Sequence, residues 1–220
     1  MAFAVEELAF APYWHYHPEI ELTLITQGSG IRFVGDSIES YQRGDLVLVG
    51  ERLPHHWVSK DDSKDKLQKA VVVQFQWKWF QDLAELKPVA ALIKSANVGL
   101  HFPDVNADLQ AKIQDLLAIP APLRVSQLIE VLFDLSNCTS PRALSKNTQF
   151  HLLNSAGEQQ RINQVIAYIM NNLDQKLSVG VLADYCFMVP QAFCRWFRKH
   201  TSFSFITFLN KTRIEAACQY

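Results

Sequence analysis

The chain has 220 residues, of which 49% are hydrophobic and 20% charged, and its formal net charge is −1. That much apolar material excludes disorder as the dominant state, and the near-neutral balance excludes a uniformly basic nucleic-acid coat or an acidic solvating tail. Cys138, Cys186, Cys194 and Cys218 form no CxxC pair, so their spacing contains neither a zinc knuckle nor a redox motif; so sparse a set reads as reduced and intracellular.

The start, MAFAVEELAF, has two glutamates and no basic residue, unlike a signal peptide, and no apolar run reaches the length of a membrane span. A cytoplasmic protein with no membrane partner is expected. Charge is uneven along the chain. Residues 1–157 hold 14 Lys+Arg against 18 Asp+Glu, net −4, and residues 158–220 hold 7 against 4, net +3. An acidic front and a basic back predict two domains with different partners.

Residues 13–77 read as strands. Glu21-Leu22-Thr23-Leu24-Ile25-Thr26 alternates with period 2, Ile31-Arg32-Phe33-Val34 does so in part, and turns fall at 27–30 and 35–37. Apolar runs at 45–49 and 69–75 add two more strands, with the charged stretch 60–66 as a solvated loop. Short strands at intervals of about 10 residues predict an antiparallel sandwich or barrel. Residues 79–95, 107–118 and 124–137 then show helical spacing, with Pro120 and Pro122 separating two of them. Residues 138–157 are polar and turn-rich and read as a linker. In the tail, Ile162, Val165, Ile166, Ile169 and Leu173 form one amphipathic stripe. Ser178 is placed to cap a helix through Tyr185, Pro190 to open another to about His200, and a last helix starts near Ser204. The predicted organisation is therefore a domain of strands followed by helices over 1–137, a linker over 138–157 and a basic helical domain over 158–220.

The helices 178–185 and 190–200 are joined by about four residues, the dimensions of a helix-turn-helix. On the second, Phe193, Trp196, Phe197 and His200 share one face while Gln191, Arg195, Arg198 and Lys199 share the other. Arg pairs bidentately with guanine, Gln with adenine, and Lys meets phosphate, so the polar face suits double-stranded DNA; a solvated basic face is the plain alternative. The stretch LSVGVLADYCFMVPQAFCRWFRKHTSFSFITFLNKTRIEAA resembles the first helix-turn-helix of AraC/XylS-type transcription regulators, through Leu182, Ala183, Met188, Phe193, Arg195, Phe197, Thr201, Ser204, Phe205, Arg213, Ile214 and Ala217. Val189 stands where that pattern usually has a capping serine, and Ser202 where it usually has glycine. The resembled family has a second such unit, which here would lie beyond residue 220. The chain is thus expected to grip DNA weakly unless a homodimer supplies two half-grips. The resemblance implies a regulator, more commonly an activator, and not an enzyme.

His15-Tyr16-His17, Glu21 and Gly28 have the spacing HxHxxxExxxxxxG of a first cupin motif, with Gly44-Asp45 and Pro54-His55 as a degenerate second. Residues two apart in a strand face the same way, so His15 and His17 are expected on one face, with Glu21 in parity and His55 closing the set. Three imidazoles and a carboxylate suit a divalent ion such as Zn, Fe, Mn or Ni; hydrogen bonding within a pocket or to a ligand is the alternative. Residues 13–77 resemble the cupin-type sensing domain of many AraC-like regulators, which implies an all-β double-stranded β-helix (jelly roll) barrel followed by helices, then an all-α domain. It also implies a small-molecule effector inside the barrel and dimerisation through the helices that follow, within 1–137; His15, His17, Glu21, Arg32 and His55 are the candidate ligand-binding residues. Aromatic side chains (Trp14, Tyr16, Phe33, Tyr41, Trp57, Phe75) suit a sugar ring and Arg32 an organic acid. A metal-dependent cupin enzyme, a truncated dimerising fragment, and a redox sensor built on Cys186 and Cys194 are the competing readings.

Overall fold

A computed structural model describes residues 1–10, 13–59, 67–78, 80–147 and 156–218. The front half is built from β1 (Ala2–Glu7), β2 (Ile20–Gln27), β3 (Ser29–Val34), β4 (Ser37–Gln42), β5 (Leu46–Val49), β6 (His55–Ser59), β7 (Gln68–Phe75), β8 (Leu100–His101) and β9 (Arg142–Ala143). They form a six-stranded sheet in the order β1-β7-β2-β5-β8-β9 and a three-stranded sheet β4-β3-β6. Every pairing is antiparallel. Gly28, at φ 104, makes the turn from β2 into β3, a backbone angle that strains any residue with a Cβ.

Both faces of the larger sheet are covered, which is why residues 20–25 are buried without a break. Ile20, Leu22, Leu24, Leu46, Leu48, Val71 and Val73 pack in one core with Val89, Leu92, Ile113, Val131, Leu132 and Leu135 of the helices α1 (Lys87–Ser95), α2 (Ala107–Asp115) and α3 (Ala121–Ser136). The alternate residues, Glu21, Thr23, Ile25, Ala70, Val72 and Gln74, line the space between the two sheets. α1 and α2 are shorter than their apolar spacing suggests, whereas α3 begins three residues earlier than expected. A 3-10 turn at Ala84–Leu86 precedes α1, and Pro122 sits within the first turn of α3, where its missing N–H costs nothing.

Several strands, β8 and β9 among them, lie where the sequence reading had none. β1 returns along β7, and β4 follows the turn at 35–36. The segment expected as a linker over 138–157 is, in its first part, the edge of the larger sheet. β9 pairs with β8, and the Leu144 and Ser145 amides donate to the carbonyls of Gly99 and Val98 at 2.9 and 2.8 Å. Asp36 holds the next turn, accepting from Ser145 Oγ at 2.6 Å and from the Lys146 amide at 2.8 Å. The expected loop 60–66 and residues 148–155 lie outside the described residues.

The tail is α4 (Ala156–Met170), α5 (Val179–Tyr185), α6 (Pro190–Thr201) and α7 (Phe205–Ala217). Of the expected stripe, Ile162, Val165, Ile166 and Ile169 are buried, while Leu173 falls beyond the end of α4 and is half-buried. Ser178 accepts from the Val181 amide and Ser204 from the Thr207 amide, two serine N-caps. Val189 precedes α6 with no side-chain cap, an omission worth about 1 kcal/mol. Ser202 ends α6 at φ 63, the left-handed conformation that glycine would take without the cost of about 1 kcal/mol that a Cβ brings. Both departures from the resembled pattern therefore lower the stability of the tail. Among the described residues no helix is long and apolar enough to cross a membrane.

Candidate functional site

His15 and His17 do not lie on a strand. The segment 13–19 carries one isolated bridge, in which His15 and His55 exchange backbone hydrogen bonds at 2.9 and 3.3 Å. That bridge, rather than strand alternation, brings the histidines beside β2 and β6. One ligand atom from each of His15, His17, Glu21 and His55 lies within 4.8 Å of the others. The ring centroids of His15 and His17 stand 4.4 and 5.1 Å from that of His55.

Backbone carbonyls set the orientation of all three rings. His15 Nδ1 meets the Tyr13 carbonyl at 2.7 Å, His17 Nδ1 that of Glu19 at 3.1 Å, and His55 Nδ1 that of Leu53 at 2.7 Å. Donation from Nδ1–H leaves Nε2 of His15 and of His55 as the lone-pair nitrogen, the arrangement that a metal-ligating histidine requires, whereas His17 Nε2 faces Glu21 Oε2 as a hydrogen-bond donor and would release that proton on binding an ion. His55 Nε2 is buried, has no hydrogen-bond partner among the described residues and stands 3.5 Å from Glu21 Oε1. Glu21 Oε1 accepts from Thr23 at 2.7 Å, and Oε2 accepts from Gln74 at 2.9 Å and lies 3.0 Å from His17 Nε2.

Burial would raise the Glu21 pKa, but the charge of His55 and the hydrogen bonds of His17 and Gln74 hold it well below the usual carboxylate range. Burial and the neighbouring His55 push His15 down to about 4. Burial lowers His17 as well, but the hydrogen bond and charge of Glu21 outweigh it and the net shift is upward. An ionised carboxylate beside lone-pair imidazoles is a donor set that fits a divalent cation.

A cavity of about 220 Å³ opens from this cluster between the sheets, meeting it at His15 and Glu21. Its apolar wall is Phe3, Val5, Phe10, Tyr13, Ile25 and Trp57, with Thr23 and Gln74 at the polar end. Most of these escape the sequence reading. Phe3 and Val5 were legible as alternation in the first seven residues, Thr23 as the next inward position after Glu21, and Gln74 as the polar residue in an apolar run. Of the six aromatics expected in the barrel, Trp57 lines this cavity. Phe33 and Trp14 pack with the tail, and Phe75 faces α3.

Arg32 is not brought to this site. It is 1% exposed and already paired, its guanidinium bonding to Asp45 and, at 2.9 Å, to Glu39. Arg142 holds Glu39 from the other side at 2.6 and 2.7 Å, and His101 meets Asp45 at 3.1 Å. The role of ligand-carboxylate reader is therefore corrected to that of a structural ion pair.

On α6, Gln191, Arg195, Arg198 and Lys199 are exposed while Phe193, Phe197 and His200 are buried and Trp196 is half-buried, as the two-faced pattern requires. α5 and α6 are joined by residues 186–189, with Phe187 at φ 55. Cys186 is buried, which raises its thiol pKa, while Cys194 is exposed. The tail docks on the outer face of the small sheet. Phe208 stacks on Phe33 at 5.5 Å, Phe33 stacks on His56 at 4.3 Å, and Glu215 accepts from the Ser40 amide and hydroxyl at 2.9 and 2.8 Å. On β6, His55 joins the histidine cluster, while His56, whose ring stacks on Phe33, is also among the residues that line the cavity.

No family model matches the chain, and no curated protein matches it. Among solved structures, the chain is similar to ToxT from Vibrio cholerae, with 10% identity and a TM-score of 0.46 over 96% of this chain and 98% of that one. It is also similar to the AraC-like transcriptional activator CuxR (11% identity, TM-score 0.34, 98% of this chain and 73% of that chain). A third similarity, to oxalate decarboxylase, has 16% identity and a TM-score of 0.28 over 71% of this chain and 35% of that one.

Proposed function

We propose that the protein is a DNA-binding transcription regulator of AraC type, not an enzyme. Its cupin-type jelly-roll barrel takes a small effector, and its α5–α6 pair is a helix-turn-helix. The observation that carries this reading is α6 itself, a capless but well-packed helix whose buried aromatic face leaves Gln191, Arg195, Arg198 and Lys199 free for a major groove. The net +3 of residues 158–220 supplies the phosphate attraction. A homodimer would present two such units to one duplex. The test is recovery of genomic fragments on the 220-residue chain across a salt series. Sites that survive moderate salt support sequence-specific reading, and Arg195→Ala is expected to weaken them by about 1–3 kcal/mol. Recovery that vanishes uniformly with salt, or unchanged sequence preference in that variant, overturns it.

The effector reading follows the cavity. At about 220 Å³ it admits a small sugar or organic acid, with its apolar side on Trp57 and Phe3 and its polar end at Gln74 and Glu21. We propose that His15, His17, His55 and Glu21 hold one divalent ion (Zn, Fe, Mn or Ni), which would polarise an oxygen donor of the effector. The chain purified without chelator is expected to carry about one ion per protomer, and His55→Ala to lose it. A folded wild-type chain that takes up no ion from any of the four metals would return the cluster to a purely hydrogen-bonding role.

A further inference from the structure

A second apolar cavity lies on the opposite side of the larger sheet, under α3, and its volume of about 480 Å³ is more than twice that of the barrel cavity. The slot exists because α3 is seated at one end. Val131, Leu132 and Leu135 are buried against the sheet, whereas Val125, about two turns before Val131 at the other end, is 47% exposed. Between that raised end and the strands, Val73, Phe75, Trp77, Phe80 and Leu128 form the walls, and no acidic side chain is among them.

Arg124 stands in the wall of the slot. Its Nε donates to the Ile119 carbonyl at 3.0 Å and its Nη2 to that of Leu117 at 3.4 Å, so the guanidinium is held in place by the turn that follows α2. No carboxylate of the described residues pairs with it. A fixed guanidinium without a counter-charge, beside an apolar slot whose volume falls in the range of about 300–1,000 Å³ typical of small-molecule sites, selects for an apolar body with a planar anionic end. The barrel cavity has the opposite character, since its polar end carries the ionised Glu21.

We propose that this slot is a second ligand site, for an amphiphilic monoanion such as a medium-chain carboxylate, with its carboxylate on Arg124 and its chain under α3. The two cavities share no lining residue, so the proposal stands or falls independently of the effector reading of the barrel.

The test is titration calorimetry of decanoate and of decanol into the full chain, with the melting temperature confirming that each variant is folded. Saturable binding of one decanoate per chain is expected, with decanol and Arg124→Gln each weaker by about tenfold or more, the usual loss when a charge-assisted hydrogen bond goes. Leu128→Trp, which fills the slot, should abolish binding, and Ala70→Phe, which fills the barrel cavity instead, should leave it unchanged. If Leu128→Trp does not fold, the Arg124→Gln comparison decides, since Arg124 is only half-buried. Absence of saturable binding overturns the proposal, as does equal binding of decanol and decanoate, or loss with Ala70→Phe in place of Leu128→Trp. A dimer that Leu128→Trp weakens, with no decanoate uptake, would assign the slot to a second copy of the chain and overturn it equally.

Discussion

Phe208→Ala is expected to destabilise the protein by about 3–5 kcal/mol and to uncouple the melting of the tail from that of the barrel. Phe208 is fully buried where two cores meet. On one side it stacks on Phe33 of the small sheet; on the other it meets Phe197 edge-on at 5.4 Å and lies 6.2 Å from Phe203. Truncation leaves a void that neither side can close alone, because sheet and helices are each fixed by their own backbone bonds. Calorimetry of the wild-type chain should give one transition and the variant two. A cycle with Phe33→Ala isolates the ring contact itself, expected at about 0.5–1.5 kcal/mol of coupling. A loss below about 1 kcal/mol in Phe208→Ala would mean that the tail does not dock on the small sheet in solution.

Arg32→Met should cost about 3–5 kcal/mol, because it leaves Asp45 and Glu39 without their shared cation. Arg142 and His101 remain, which places the loss toward the lower end of that range. The pH dependence follows from the carboxylates. Burial alone would raise Asp45, but the His101 hydrogen bond and the Arg32 charge more than reverse it. For Glu39, burial is outweighed by the Arg142 hydrogen bond and the Arg32 charge. Both folded-state pKa values therefore lie below their unfolded values. Their contribution is fully present above the ordinary carboxylate range of about 4 and is lost as pH falls through that range toward the folded values. Urea midpoints measured from pH 7 down to pH 3 should fall more steeply for the wild-type chain than for Arg32→Met. Parallel curves would show that Arg32 does not set these pKa values.

The relation between barrel and tail bears on regulation. His55 belongs to the histidine cluster at the end of the cavity, and His56, the next residue on β6, is itself among the residues lining that cavity and packs against Phe33 and through it against Phe208. An effector that binds the docked and undocked arrangements with different affinity would shift the balance between them; equal affinity would shift nothing.

The tail was largely legible in the sequence because its signals are local. Ser178, Pro190 and Ser204 mark helix starts within a few residues of the hydrogen bonds they satisfy, and a 3.6-residue period sorts Phe193 and Phe197 from Arg195 and Lys199 without any knowledge of what lies opposite. The histidine cluster was legible as a set, through the spacing of His15, His17 and Glu21. The way it is assembled was not, since a single backbone bridge to His55 does the work assigned to a strand. What tertiary structure alone decided are the long-range pairings. β1 lies against β7 and β9 against β8, Arg32 is turned from ligand reader into buried ion pair by Asp45 and Glu39, and the tail is seated on Phe33. A capping serine or an amphipathic face acts on neighbours within a turn or two of chain, whereas a guanidinium or an edge strand takes whichever partner the folded chain brings to it, and that partner can be a hundred residues away.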